Sequence, residues 1–298
     1  MISYGIHSCA LAIQDTEAAI EAAARIGYDA FEIDVQPRVN SRVDFYKYAS
    51  AFDAERFDGS GRKKQTGIPI QSLCLGVLWY VNLAAGSAEE RIFGAEIVRW
   101  ALERAEKLGA SMLLLPVGTP FEYSLERARE TLALSLRPLA AEAGQRGVAL
   151  GVENVCQRIL WTAQELSDLV DAVGSPHCRA YYDVGNALLA GEDPVCGVRT
   201  LGKRIAQYHI KDMKILRPYG GKPEGGYGSR VLSRGDSTVW DGGETCLPME
   251  GGVNWEALSK AVREVGNSVV FVNETVASEQ DPEHVARAQL PLMRRFFG

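Results

Sequence analysis

No Cys-x-x-Cys pair occurs among the six cysteines, at positions 9, 74, 156, 178, 196 and 246. A zinc–thiolate finger and a dithiol redox motif are both excluded. Cysteines scattered in this way read as buried free thiols. No apolar run approaches the roughly 20 residues of a membrane-spanning helix. A stripe of Lys and Arg is also missing: the net charge is −6, and the one short basic stretch, Arg62-Lys63-Lys64, reads as a solvated loop. Without that electrostatic footprint neither nucleic acid nor a membrane surface is expected as a partner. There is no dinucleotide-binding or phosphate-cradling glycine motif, so no organic cofactor is expected. The first residues enter an apolar segment, Ile2 to Ile6, with no basic leader, which makes the cytoplasm the expected location.

What is present is a globular composition, 46% apolar and 23% charged over 298 residues. An α/β barrel of that length folds as one domain around one core, so residues 1–298 are expected to be a single unit. Eight apolar runs read as strands: Ile2–His7, Ala30–Asp34, Ile68–Leu75, Ser111–Val117, Val148–Glu153, Arg179–Asp183, Ala206–Ile210 and Val269–Glu274. They are continuous and rich in Val, Leu and Ile, as parallel strands covered by helices should be. Helical patterns lie between them. Ser87-x-x-Glu90 and Thr162-x-x-Glu165 have the form of capping boxes, and Asp281-Pro282 that of a capped helix start. Gly27, Gly109, Gly147, Gly174 and Gly266 follow amphipathic stretches where a left-handed cap costs least. Pro138 falls inside the Leu125–Gln145 pattern and predicts a kink or a split there. The repeated strand–helix unit predicts a (β/α)8 TIM barrel. Two segments interrupt it: Val39–Gly67, with helical potential around Phe45–Phe57, and the glycine-rich Met213–Gly252, whose length suits a lid.

Active sites of such barrels are built at the carboxyl ends of the strands. Four consecutive predicted strands end in side chains able to bind a metal: Glu153, Asp183, His209 and Glu274. Two-residue alternation pairs each with Gly151, Tyr181, Gln207 and Val272 respectively on one face. Singly, a strand-end carboxylate can simply cap the next helix, and a lone histidine in an apolar strand is commonly a hydrogen-bonded core residue. Three carboxylates buried together without a cation would cost several kcal/mol per charge, roughly, so a shared ion is the economical account of the set. Three oxygens and one imidazole nitrogen suit a hard to borderline divalent ion: Mn²⁺ first, with Mg²⁺ or Co²⁺ next.

These strings resemble a known family, the xylose-isomerase-like sugar isomerases and epimerases, which includes ketose 3-epimerases of the tagatose and psicose type. The likeness runs over nearly the whole chain. It is carried by Val152-Glu153-Asn154-Val155, Tyr182-Asp183-Val184-Gly185-Asn186, His209-Ile210-Lys211-Asp212 and Pro248-Met249-Glu250-Gly251-Gly252-Val253-Asn254-Trp255. The resemblance implies that Glu153, Asp183, His209 and Glu274 bind the metal and that Glu153 and Glu274 are also the acid/base pair. It implies a metal-dependent isomerase acting on a small sugar or sugar phosphate, most simply by C3 epimerisation of a ketose, with aldose–ketose isomerisation on the same site as the runner-up. Asn186 stands where the free-ketose enzymes carry a histidine, and Arg217 near the position of their substrate-binding arginine. His7, at the end of strand one, and Lys211 complete the expected substrate contacts; Glu32 and Trp79 are candidates to line the pocket, and Lys211 and Asp212 to pair with each other. Lys211, Lys214, Arg217 and Lys222 would supply positive charge for a phosphorylated substrate. A homo-oligomer is compatible with all of this. An endonuclease IV-type phosphodiesterase shares the barrel but needs a histidine-rich cluster of several metals, and only four histidines occur. A non-catalytic sugar-binding protein would not need so many ionisable residues at the barrel mouth.

Overall fold

The computed structural model describes all residues except 1, 38, 40, 62–63, 65–66, 121, 156–157, 217–238, 241–242, 268 and 277–279. In chain order the strands are β1 (Ser3–His7), β2 (Ala30–Asp34), β3 (Ile70–Cys74), β4 (Met112–Leu115), β5 (Ala149–Glu153), β6 (Cys178–Asp183), β7 (Ile205–Ile210), β8 (Asp212–Ile215), β9 (Val239–Trp240), β10 (Gly243–Cys246) and β11 (Val270–Asn273). The helices are α1 (Thr16–Ile26), α2 (Arg42–Arg56), α3 (Ala88–Leu108), α4 (Leu125–Gln145), α5 (Ala163–Val173), α6 (Val184–Leu189), α7 (Pro194–Leu201), α8 (Trp255–Val265) and α9 (Pro282–Phe297).

Eight strands close a parallel barrel in the order β1-β11-β7-β6-β5-β4-β3-β2. Each corresponds to one of the eight runs of the sequence, because a strand buried on both faces must be apolar along its whole length. Outward side chains such as Ile6, Phe31, Leu113, Leu150, Tyr182, Tyr208 and Phe271 pack under the helices in one large core. The lumen holds a smaller apolar plug of Cys74, Met112, Leu114, Tyr181 and Val272. Gly151 is required there, since a Cβ would stand 2.8 Å from Met112 Sδ and 3.1 Å from the Tyr181 ring.

Helix ends follow the expected chemistry with two exceptions. Thr162 and Glu165 form a reciprocal capping box, whereas Ser87 caps α3 alone because the Glu90 carboxylate accepts from Asn82 N instead. α4 runs unbroken from Leu125 through Pro138 to Gln145 rather than splitting; its buried face, from Ala128 to Ala143, is long enough for packing to outweigh one lost backbone hydrogen bond. The five glycines expected to end helices all have positive φ. No described helix is long and apolar enough to cross a membrane.

The segment after β7 is a small antiparallel sheet, order β8-β10-β9, set on the carboxyl-terminal mouth of the barrel. The greater part of the expected lid lies outside the described residues.

Candidate metal and substrate site

Glu153 ends β5, Asp183 ends β6, His209 is the penultimate residue of β7, and Glu274 follows β11. The strands β5, β6, β7 and β11 are consecutive around the barrel. Strand alternation turns all four side chains to the lumen, and one ligand-type atom from each lies within 4.8 Å of the others. His209 Nδ1 is 3.0 Å from Glu153 Oε1, 3.3 Å from Glu274 Oε2 and 3.9 Å from Asp183 Oδ2. The four-residue set expected from the strand ends is therefore one cluster.

The other side of the imidazole explains why Nδ1 faces the carboxylates. His209 Nε2 is 2.7 Å from Glu32 Oε1. Glu32 in turn accepts from Ser72 Oγ at 2.5 Å and from Tyr181 Oη at 3.0 Å. A carboxylate fixed behind a histidine selects the tautomer whose free nitrogen points forward, the usual support of a metal-ligating imidazole. The donor set and this buttress both fit a divalent ion held by Glu153, Asp183, His209 and Glu274. Glu32 was expected only as pocket lining; the signal for its larger role is an acidic residue centred in an apolar strand.

Lys211 enters the same cluster, with Nζ 2.6 Å from Asp183 Oδ2 and 2.5 Å from Glu274 Oε2. It does not pair with Asp212. Lys211 joins β7 to β8 and turns into the cluster, whereas Asp212 accepts from Met213 N, Met249 N, Gly251 N, Val253 N and Trp255 Nε1. The Pro248–Trp255 motif is thus a loop gathered around one buried carboxylate. Gly251 permits it, because a Cβ there would lie 2.3 Å from Asp212 Oδ1.

Electrostatics divide the carboxylates. Burial pushes Glu153 up to about 7, against the opposing pull of His209. Burial likewise raises Asp183 despite Lys211. For Glu274 burial is outweighed by the positive fields of His209 and Lys211, and its carboxyl is held well below the usual range. The carboxylates around His209, Glu274 and Glu32 foremost, overcome burial and raise the imidazole well above its ordinary value.

Above the cluster lies a cavity of about 400 Å³ whose wall includes Glu153, Glu274, Lys211, Asn186, His7 and Trp79. Asn186 donates to Asn154 O at 3.0 Å, leaving its buried Oδ1 with no partner. Asn154 braces the Asp183 backbone in both directions, at 2.8 Å each way. Of the basic residues proposed to receive a phosphate, Lys211 is committed to two carboxylates, Lys214 is exposed, and Arg217 and Lys222 lie outside the described residues.

The family model described as xylose isomerase-like TIM barrel matches residues 20–296. This chain belongs to the xylose isomerase-like TIM barrel family. Among solved members of this fold, the xylose isomerase-like barrel described here resembles L-ribulose 3-epimerase, with TM-score 0.72, 15% identity and coverage of 100% of this chain and 95% of that one. It resembles D-psicose 3-epimerase from Clostridium cellulolyticum H10, solved with D-tagatose, with TM-score 0.69, 18% identity and 99% coverage of both chains. A third likeness is to the IOLI protein with a bound zinc atom, at TM-score 0.73, 16% identity, and coverage of 99% of this chain and 98% of that one. At such identities the likeness speaks for the fold. No curated protein matches the chain.

Proposed function

We propose that this protein is a divalent-metal-dependent sugar epimerase that inverts the carbon beside a ketose carbonyl, most simply C3. The observation that carries the reading is the convergence of Glu153, Asp183, His209 and Glu274 from four neighbouring strands beneath an open cavity. Mn²⁺ is the ion best suited to three carboxylates and an imidazole, with Mg²⁺ or Co²⁺ as alternatives. When bound, the ion supplies Lewis-acid polarisation of a carbonyl and an adjacent hydroxyl.

The protein's own groups handle the protons. Glu153 and Glu274 reach the cluster from strands separated by β6 and β7, so they approach a substrate carbon from two sides. Inversion needs a proton removed from one face of a planar enediolate and another delivered to the opposite face. The two carboxyls sit in unlike surroundings, Glu153 governed by burial and Glu274 by the positive charge of His209 and Lys211, and unlike environments for two carboxyls are how acid and base roles are divided. Lys211 keeps positive charge beside Glu274, and Asn186 Oδ1 is a free acceptor for a substrate hydroxyl. Neighbours in the fold that act on free ketoses support a sugar substrate. Aldose–ketose isomerisation would use the same metal site with one base and is the second reading.

The test is Glu153→Gln and Glu274→Gln in metal-loaded protein. Gln is a weaker ligand than Glu, so each variant is saturated with Mn²⁺ and its metal content verified; so loaded, each should lose about two or more orders of magnitude in turnover, and the double variant should be little worse than the weaker single. A metal-bound single variant with near-normal epimerisation would overturn the two-base assignment.

A further inference from the structure

Next to β11, the ends of β1 and β2 close the cavity beside the metal ligands, and one observation there is unexplained by the chemistry above. His7 is 3% exposed and its Nε2 has no hydrogen-bond partner. Its protonation follows from its other nitrogen: Cys9 N donates to His7 Nδ1 at 3.1 Å, and the Cys9 thiol also lies 2.8 Å from it. A nitrogen that accepts an amide N–H has no proton of its own, so in the neutral ring the proton sits on Nε2. His7 Nε2 is therefore a buried donor with no acceptor in hydrogen-bond reach, Glu32 Oε1 standing off at 3.9 Å and already taken by His209. Buried donors are almost always satisfied, so this one is waiting for an oxygen.

Asp34 stands beside it. An oxygen of its carboxyl, a nitrogen of His7 and Cys74 Sγ lie within 4.8 Å of one another. The Asp34 side chain lines the same cavity and makes no hydrogen bond among the described residues; Gly76 leaves the room, since a Cβ there would stand 3.0 Å from Asp34 Oδ1. His7 also links this wall to the metal end, with a nitrogen within 4.8 Å of a Glu274 oxygen. A monosaccharide whose reacting carbons lie at the four ligands brings its remaining hydroxyls here. A second metal on Nε2 is disfavoured, because the ring proton would have to move to Nδ1, where Cys9 N already donates.

We propose that His7 and Asp34 form the recognition end of the cavity for an unphosphorylated sugar. His7 Nε2 donates to one substrate oxygen, the Asp34 carboxylate accepts from a neighbouring hydroxyl, and the same negative charge turns away a phosphate ester. This deepens the sugar-epimerase reading and rests on it. It also makes the site unlike a phosphate cradle, which needs converging donors and positive charge.

Binding tests it without requiring turnover. Mn²⁺-loaded protein is titrated calorimetrically with D-fructose, D-tagatose and D-fructose 6-phosphate. The free ketoses should bind and the phosphate ester should bind at least about tenfold more weakly. Asp34→Asn, which keeps shape and removes charge, should weaken the free ketoses about tenfold and narrow their advantage over the ester. His7→Asn should weaken the free ketoses alike, since Asn can still accept from Cys9 N while deleting the Nε2 donor. Both variants should retain one Mn²⁺ per chain and the wild-type melting temperature within a few degrees. Equal or tighter binding of the ester, or free-ketose affinities unchanged in both variants, would overturn the subsite while leaving the metal reading intact. A second Mn²⁺ lost in Asp34→Asn would make the wall a metal site instead. If neither free nor phosphorylated ketose binds wild-type protein, the sugar reading falls with it.

Discussion

Replacing Glu32 with Gln separates the support of the metal site from its chemistry. Glu32 is fully buried and does not line the cavity; it receives His209 Nε2 on Oε1, and the hydroxyls of Ser72 and Tyr181 on Oε2. An amide offers one acceptor and one donor end. The low-cost orientation puts the carbonyl toward His209 and the NH2 toward Ser72 and Tyr181, whose hydroxyls can reverse to accept. The imidazole then keeps its tautomer and loses only the charge behind it. A hydrogen bond to a charged group contributes about 1.5–3 kcal/mol and a neutral one about 0.5–1.5 kcal/mol. The difference, about 1–2 kcal/mol, corresponds to roughly 5- to 30-fold in metal affinity, which overlaps the lower part of the range of about 10- to 100-fold found for such supporting groups. Isothermal titration of chelator-stripped protein with Mn²⁺, with the fold checked by circular dichroism, reads it directly. Affinity within twofold of wild type would refute the argument that Glu32 sets the strength of His209 as a ligand.

The pH dependence of the chelator-stripped protein should follow Glu153. Its folded value, about 7, lies above the ordinary 4.5, so the folded state binds the extra proton and stability falls as pH rises from about 4.5 to 7. Melting curves across that window should decline in wild type relative to Glu153→Gln, and parallel curves would contradict the assignment. On the proposed ligand set a divalent metal would displace a proton from His209, whose value the carboxylates raise, so Mn²⁺ affinity should fall as pH is lowered, with proton release visible in buffers of different ionisation enthalpy. Asp212→Ala should leave four backbone N–H groups and the Trp255 indole without their acceptor. At about 1 kcal/mol for each of the five, urea unfolding should register a loss of about 5 kcal/mol; under about 1 kcal/mol would show that water or neighbours replace Asp212.

Why some of this was legible in the sequence and some was not has a physical basis. A parallel strand buried on both faces is apolar throughout, so an ionisable residue at its end stands out, and Glu153, Asp183, His209 and Glu274 were visible for that reason. Their convergence follows from two-residue alternation once the strands close into a barrel. Glu32 was harder, since alternation puts it in the lumen without revealing that His209 from the far wall would reach it. The Lys211–Asp212 pairing failed because Lys211, between β7 and β8, turns to Asp183 and Glu274 while Asp212 turns to the loop donors. Asp212's role depends on donors from Met249 to Trp255, which only the folded loop brings near. Ser87 and Glu90 had the spacing of a capping box, but the Asn82 amide competes for the carboxylate. Pro138 signalled a break that the buried face of α4 overrides.

The central claim is that Glu153 and Glu274 exchange protons with a carbon beside a sugar carbonyl at a metal held on four strands. It is tested most directly by incubating Mn²⁺-loaded protein in D₂O with free ketoses and following both NMR and epimer composition. One solvent deuteron should be incorporated at the inverted carbon of at least one ketose, abolished by chelation and restored by Mn²⁺. Interconversion without deuterium uptake, or exchange undiminished by removal of the metal, would contradict it.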